Sequence, residues 1–269
     1  MNVIWKDMQD LIETSSAPGD PPAAIAPLSD WALFLDLDGT LLDLAPTPEA
    51  VRAGPRLRAG LNALRAAAGG ALAVVTGRRI AVVDALFPGH RFAVAGLHGA
   101  EIRPAPGAPL LVPGIAPDAP GFSAARAWAQ RGARQAPGLR FEDKTAAFAL
   151  HYRLAPDHGE TVAAIMAEAL TLAGPGYKLR SGKAVVELGP ADADKGRAVA
   201  RLMTLPPFAG RRPFAAGDDV TDEDMFRTVN HMGGLTMLVG PASRFAASAA
   251  ATRLDSPQDF RNWLEGLTG

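Results

Sequence analysis

The chain has 269 residues, is 48% apolar and carries a net charge of -1. That balance suits a soluble globular protein and argues against a surface built mainly for nucleic acid or an anionic membrane. It contains no cysteine, which excludes disulfides, zinc–thiolate centres and catalysis by a thiol.

The length allows one large domain or two small ones, each with its own core. The apolar runs are too short to span a bilayer, and no basic segment followed by an apolar core opens the chain. A cytoplasmic location is expected, with no membrane or nucleic-acid partner. Residues 1–14 place Ile4, Met8, Leu11 and Ile12 on one helical face. Ser15 to Ser29 is rich in Pro, Ala and Ser without periodicity and reads as a linker, so residues 1–29 form an arm.

The apolar run from Trp31 reads as a buried strand, and it ends in Asp36-Leu-Asp38-Gly-Thr40. Pro48 and Pro55 each suit the first turn of a helix. The stretch from Pro55 to Ala68 has Leu57, Leu61 and Leu64 on one side and stops at Gly69-Gly70. A second strand, Ala71–Val75, ends at Thr76-Gly77-Arg78; a helix with Ile80 and Val83 follows. A third strand, Phe92–Ala95, ends at Gly96-Leu97-His98-Gly99. Strands alternating with helices predict a parallel sheet with right-handed crossovers.

The pattern changes near Pro104. A helix over Phe122–Arg134, strand-like runs at Leu139–Lys144 and Ala146–Arg153, a helix over Glu160–Leu172 and runs at Tyr177–Arg180 and Ala184–Leu188 predict an antiparallel sheet with helices on one face. Residues 104–189 thus read as an inserted domain, with 30–103 and 190–269 forming the parallel core. That core resumes with a helix opened by Asp194-Lys195-Gly196. A strand over Arg212–Ala216 follows, ending in Gly217-Asp218-Asp219, and then a helix with Met225, Phe226 and Val229. Leu235–Val239 is a further strand, and the C-terminal helix carries Phe260, Trp263, Leu264 and Leu267.

Carboxylates at the end of a buried strand are costly unless a cation or hydrogen bonds satisfy them. In open α/β sheets, ligands bind beyond the carboxyl ends of the strands. Asp36 and Asp38 therefore point to a hard cation, most naturally Mg²⁺. Thr76, His98, Asp218 and Asp219 end other strands, and Lys195 can reach the same edge. That set suits phosphoryl transfer: one carboxylate attacks phosphorus, a second handles protons, a metal and a lysine neutralise oxygens, and a hydroxyl with backbone N–H groups orients the phosphate. In the insert, alternate strand residues share a face. Glu142 and Lys144, His151 and Arg153, and Lys183 and Glu187 each share one, opposite mainly apolar alternates. The polar face reads either as solvated surface or as a polyol-binding surface, since carboxylates accept from hydroxyls and Lys and Arg donate to sugar oxygens. His90, His158, His231, Trp5, Trp128 and Trp263 read as surface or packing residues, and part of the acidic run Asp219–Asp224 as caps for the helix that follows.

Asp36-x-Asp38-Gly-Thr40, Thr76-Gly-Arg78, Lys195-Gly196 and Gly217-Asp-Asp-x-Thr-Asp-Glu-Asp224 resemble, in order and spacing, the four motifs of the haloacid dehalogenase superfamily. Gly96-Leu-His-Gly-Ala-Glu101, Glu142-x-Lys144 with His151-Tyr-Arg153, and Lys183-x-x-x-Glu187 extend the resemblance to the trehalose-6-phosphate phosphatases, over about residues 30–255. The resemblance implies a Rossmann-like α/β core with an inserted α/β cap of the C2 type. It implies hydrolysis of a sugar phosphate through an aspartyl-phosphate, with Asp36 as nucleophile and Asp38 as general acid and base. Thr76, Gly77, Arg78 and Lys195 would hold the phosphate. His98, Gly99, Glu142, Lys144, Arg153, Lys183 and Glu187 would contact the sugar. Mg²⁺ would be held by Asp36, Asp38 through its carbonyl, and Asp218, with Asp219 or Asp222 nearby. A monomer is expected. The rival readings are a related phosphatase for another sugar phosphate and a catalytically silent sugar-phosphate sensor.

Overall fold

The structure is a computed structural model and describes residues 19–22, 24–45, 51–89, 92–105, 107–111, 119–144, 146–182 and 184–268. The expected helix at residues 1–14, Pro48, His90 and Lys183 lie outside the described residues. Along the chain the first elements are β1 (Trp31–Leu35), α1 (Pro55–Ala67), β2 (Leu72–Val75), α2 (Ile80–Leu86), β3 (Ala93–Gly96) and β4 (Glu101–Arg103). Next come α3 (Pro120–Ala133), β5 (Arg140–Asp143), β6 (Phe148–His151), α4 (Gly159–Ala173), β7 (Tyr177–Gly182) and β8 (Val185–Pro190). The last are α5 (Lys195–Leu202), β9 (Arg212–Gly217), α6 (Glu223–His231), β10 (Leu235–Val239), α7 (Ala242–Phe245), β11 (Thr252–Leu254) and α8 (Pro257–Gly266).

The chain folds as two compact units, one comprising the chain up to Leu111 together with Lys195–Gly269, the other Val112–Asp194. The first unit therefore extends beyond Pro104. Leu111 exchanges both backbone hydrogen bonds with Ile102, which ties the Pro/Gly-rich stretch to β4. Among the described residues its sheet has seven strands in the order β11-β10-β9-β1-β2-β3-β4, parallel except for the β3–β4 pair. β1 lies inside it and is buried along its whole length.

Alternation along these strands divides the core in two. Leu33 and Leu35 join Val74, Val94, Phe214 and Met237 beneath α1, α2 and α8. Ala32, Phe34, Ala73, Ala93, Ala95 and Ala215 face the other way, towards Val199, Leu202, Phe226 and Val229 of α5 and α6. Small residues on that second face let two amphipathic helices lie close to the sheet. Full burial of each large side chain contributes roughly 1.5–3 kcal/mol.

Three elements differ from the sequence expectation. β4 and β11 are three residues each, too short to show a period, and they form the two edges of the sheet. The described part of the 15–29 stretch is no free linker. Ile25 is buried, the Trp263 indole N–H donates to the Pro22 carbonyl at 2.8 Å, and the Arg253 N–H donates to the Gly19 carbonyl. Single apolar residues between prolines can fill a core without any periodic signal.

In the second unit a four-stranded antiparallel sheet, order β5-β6-β8-β7, is the sheet of the described residues. Its apolar face, with Phe148, Leu150, Val186 and Leu188, packs on Phe122, Ala125, Val162 and Met166 of α3 and α4. No helix among the described residues is long and apolar enough to cross a membrane.

Candidate active site

β1 ends by delivering Asp36 to the carboxyl edge of the sheet, and the adjacent β9 delivers Asp218. Lys195, the first residue of α5, reaches back between them. Its Nζ donates to Asp36 Oδ1 at 2.6 Å and to Asp222 Oδ1 at 2.7 Å. The other Asp222 oxygen accepts the backbone N–H groups of Asp218 (3.0 Å) and Asp219 (2.9 Å), which fixes the loop leaving β9. Thr40 is fully buried and its hydroxyl donates to Asp36 Oδ2 at 3.3 Å. Gly39 makes the turn possible: its φ is +87°, and an added Cβ would lie 2.4 Å from the Asp218 carboxylate.

Asp36, Lys195, Asp218 and Asp222 are all buried. Burial pushes the Asp36 carboxyl well above the usual range; Asp222 and Asp218 push the same way, against Lys195. Burial, with Asp222 and Asp219, pushes Asp218 up to about 7. For Lys195 burial favours the neutral amine, yet the Asp222 and Asp36 charges outweigh it and raise the ammonium's pKa. Oxygens of Asp36, Asp218 and Asp222 lie within 4.8 Å of one another. Three buried carboxylates around one lysine leave uncompensated negative charge and an all-oxygen donor set, which fits a hard divalent cation.

The two other acids behave differently. Asp219 accepts the Val220 N–H and, with Asp222, forms a reciprocal cap on the 3₁₀ turn Val220–Asp222, so the cap falls on the turn that precedes α6, whose own first turn has no side-chain cap. Asp38 is held by a different cation: Arg78 grips it from two nitrogens, Nε to Oδ2 at 2.6 Å and Nη2 to Oδ1 at 2.7 Å.

Thr76 ends β2, is buried, and accepts the Arg78 backbone N–H at 3.1 Å. His98 adopts a left-handed conformation (φ +54°) and lays its ring on Gly77, where an added Cβ would meet Nε2 at 2.7 Å. Gly99 completes that turn at φ +103°. Glu101 accepts the Ile80 N–H at 3.1 Å, binding the start of α2 to the β3–β4 corner. One neighbour carried no signal in the sequence reading. Arg244 of α7 places Nη1 3.7 Å from Asp218 Oδ2 and Nη2 4.0 Å from Asp219 Oδ1. Its position just beyond the carboxyl end of β10 was the available clue.

The second unit carries its own polar cluster. Cross-strand register aligns Glu142, Ala149, Glu187 and Arg180 in one row. Lys144 Nζ donates to Glu187 at 2.5 Å, and His151 Nε2 bonds Glu142 at 2.8 Å. Burial raises the Glu142 pKa, but the His151 hydrogen bond and Lys144 outweigh it, leaving the carboxyl below its usual range. Arg153 is exposed in the turn after β6, because the strand ends at His151 instead of continuing to Arg153.

The family model described as trehalose-phosphatase matches residues 34–258. A protein from Sinorhizobium fredii (strain NBRC 101917 / NGR234), named "Probable trehalose-phosphate phosphatase", is 48% identical over 240 residues, 89% of this chain and 88% of that protein. The trehalose-6-phosphate phosphatase of Escherichia coli (strain K12) is 40% identical over 238 residues, 88% of this chain and 86% of its own length. Among solved structures, a trehalose-6-phosphate phosphatase related protein superposes with a TM-score of 0.73 at 25% identity, covering 87% of this chain and 95% of that one.

Proposed function

Because this chain belongs to the trehalose-phosphatase family, and is a phosphatase with the fold of haloacid dehalogenase-like hydrolases, we propose that it hydrolyses trehalose 6-phosphate to trehalose and phosphate, the closing step of trehalose synthesis. The observation that carries this reading is the buried Asp36–Lys195–Asp222 cluster with Asp218 at the carboxyl edge of the sheet. Asp36 attacks phosphorus and takes the phosphoryl group. Asp38 gives a proton to the departing sugar oxygen, then takes one from the water that cleaves the aspartyl-phosphate. Lys195 and Thr76, with the Gly77 N–H, neutralise and orient the phosphate oxygens.

Mg²⁺ would be held by Asp36, Asp218 and the Asp38 carbonyl, with Asp222 of the same carboxylate cluster nearby; Asp219 caps the turn that follows β9. The ion would supply Lewis-acid charge at the phosphate oxygens. The first unit serves as catalytic core and the second, Val112–Asp194, as cap. Glu142, Lys144 and Glu187 take the sugar, together with His98, Gly99, Arg153 and Lys183.

Phosphate release from a panel of sugar phosphates tests the proposal. Trehalose 6-phosphate should give the highest kcat/KM. Activity should vanish in excess chelator and return with Mg²⁺. Apparent Mg²⁺ affinity should fall as the pH drops through about 7, where protons compete for Asp218. Preference for another sugar phosphate sinks the substrate assignment, and full activity in chelator sinks the metal.

The cap has its own test. Glu187→Ala removes a buried acceptor paired with Lys144. It should lower kcat/KM for trehalose 6-phosphate by roughly 10- to 100-fold, about 1.5–3 kcal/mol for a charge-assisted hydrogen bond. Hydrolysis of a small aryl phosphate, with no second sugar to bind, should change little. Equal loss on both esters makes the polar sheet face structural.

A further inference from the structure

We infer that Arg78 is the positioning residue for proton transfer: its guanidinium holds the Asp38 carboxyl aimed at the leaving oxygen, and its part in the reaction is that aim, with phosphate binding left to Lys195 and Thr76. The inference rests on the role given above to Asp38.

The hold is built from both ends. Two nitrogens of one planar fork reach the two Asp38 oxygens at 2.6 and 2.7 Å, the geometry that fixes a carboxylate in direction as well as distance. The backbone under the fork is fastened too. The Arg78 N–H donates to Thr76 Oγ1 at 3.1 Å, and its carbonyl accepts the Leu97 N–H at 3.0 Å. The His98 N–H donates to the Thr76 carbonyl at 3.0 Å. The His98 ring lies against the bare α-carbon of Gly77, where any side chain would collide with it. The Ile80 N–H is bonded to Glu101. The loop after β2 is thus anchored on the β3–β4 corner, and Arg78 is the arm that it extends. The Asp38 side chain keeps 29% of its surface exposed and that of Arg78 15%, so the carboxyl is both held and reachable.

The division between the two acids follows. Asp36 is bonded to Lys195 and Asp38 to Arg78. Each keeps to one task because each has its own cation. In the acid form of Asp38 one oxygen still accepts from the guanidinium while the other carries the proton. That proton passes to the ester oxygen as the P–O bond breaks. The carboxylate left behind takes a proton from water as the water oxygen bonds to phosphorus and Asp36 is released.

The test compares trehalose 6-phosphate with p-nitrophenyl phosphate, whose phenolate departs without a proton. Arg78→Ala should lower kcat/KM for the sugar ester by about 100-fold or more, the usual size of a lost general acid, with little change for the aryl ester. Because hydrolysis of the phospho-enzyme also needs Asp38, the variant should release a burst of nitrophenol equal to the enzyme present, then turn over slowly. The burst itself reports a folded phosphate site. Arg78→Lys, which keeps the charge and loses the fork, should show the same selectivity in milder form. Adding Arg78→Ala to Asp38→Asn should cost little beyond Asp38→Asn alone. Equal losses on both esters with no burst would put Arg78 at the phosphate and overturn the inference. Unchanged sugar-ester kcat/KM in both Arg78 variants overturns it as well. If Asp38→Asn itself retains sugar-ester turnover, the role of Asp38 fails first; if it loses turnover and Arg78→Ala does not, only the positioning role fails.

Discussion

Asp36→Asn is expected to abolish turnover, by about 10⁴-fold or more for loss of a nucleophile, while trehalose 6-phosphate still binds. The amide keeps the side chain's size, so Lys195 and Thr40 retain a neighbour of the same shape. As a neutral amide it is a poor nucleophile towards phosphorus. Stability moves in the opposite sense. Burial and the Asp222 and Asp218 charges raise the Asp36 pKa in the folded protein. A carboxyl raised in this way destabilises the fold at every pH above its unfolded value, because the unfolded chain loses the proton more readily. Replacing it with a neutral amide removes that penalty. In chelator at neutral pH the variant should therefore melt no lower than the parent in differential scanning calorimetry. Phosphate trapped by acid quench on any side chain other than Asp36 would contradict the assignment.

Lys195→Met should damage both function and fold. Its ammonium lies between Asp36 and Asp222 and is almost entirely buried. Removing one partner from a buried ion pair typically costs about 3–5 kcal/mol, because the charges left behind are uncompensated. Loss of the phosphate contact should cost on the order of 10²–10³ in kcat/KM on sugar and aryl esters alike. The pH dependence separates charge from packing. Without the ammonium, which opposes the upward shift, Asp36 holds its proton more tightly when folded. The deficit against the parent should be larger at pH 8 than at pH 5, where proton uptake relieves the repulsion. The parent's raised Lys195 pKa keeps its ammonium charged across that window. Urea denaturation at the two pH values reads the difference. An equal deficit at both means that Lys195 acts by packing alone.

The parallel strands were legible because each is an apolar run with a chemically loaded residue at its end, and burial with exposure only at the carboxyl edge writes that pattern directly. The insert's two-faced sheet was legible from alternation. The partners across strands were not. Lys144 with Glu187 and Glu142 with His151 depend on register, which comes from the hairpins and the core beneath. The acidic run after β9 shows the same limit. Asp219 and Asp222 look equivalent as letters, but a single 3₁₀ turn exposes one as a cap and buries the other against Lys195. Arg78 was visible as a motif residue, while its aim at Asp38 depends on how Gly77 and His98 fold the loop. The edge strands β4 and β11 left no trace because three residues cannot establish a period.

The place of β1 in its sheet bears on how the protein is made. Trp31 pairs with Arg212 on one side and Leu33 with Leu72 on the other, so the strand that carries Asp36 has one early neighbour and one that is translated only after the whole inserted unit. Contacts between residues so distant in sequence are slow to form, whereas the insert's hairpins and helices are local and can fold as soon as they emerge. A nascent chain that ends at Asp194 already holds a complete insert and half a sheet, with Asp36 at an open edge and neither Lys195 nor Asp218 yet synthesised. Catalytic competence is therefore acquired in one late step, when α5 and β9 close over β1.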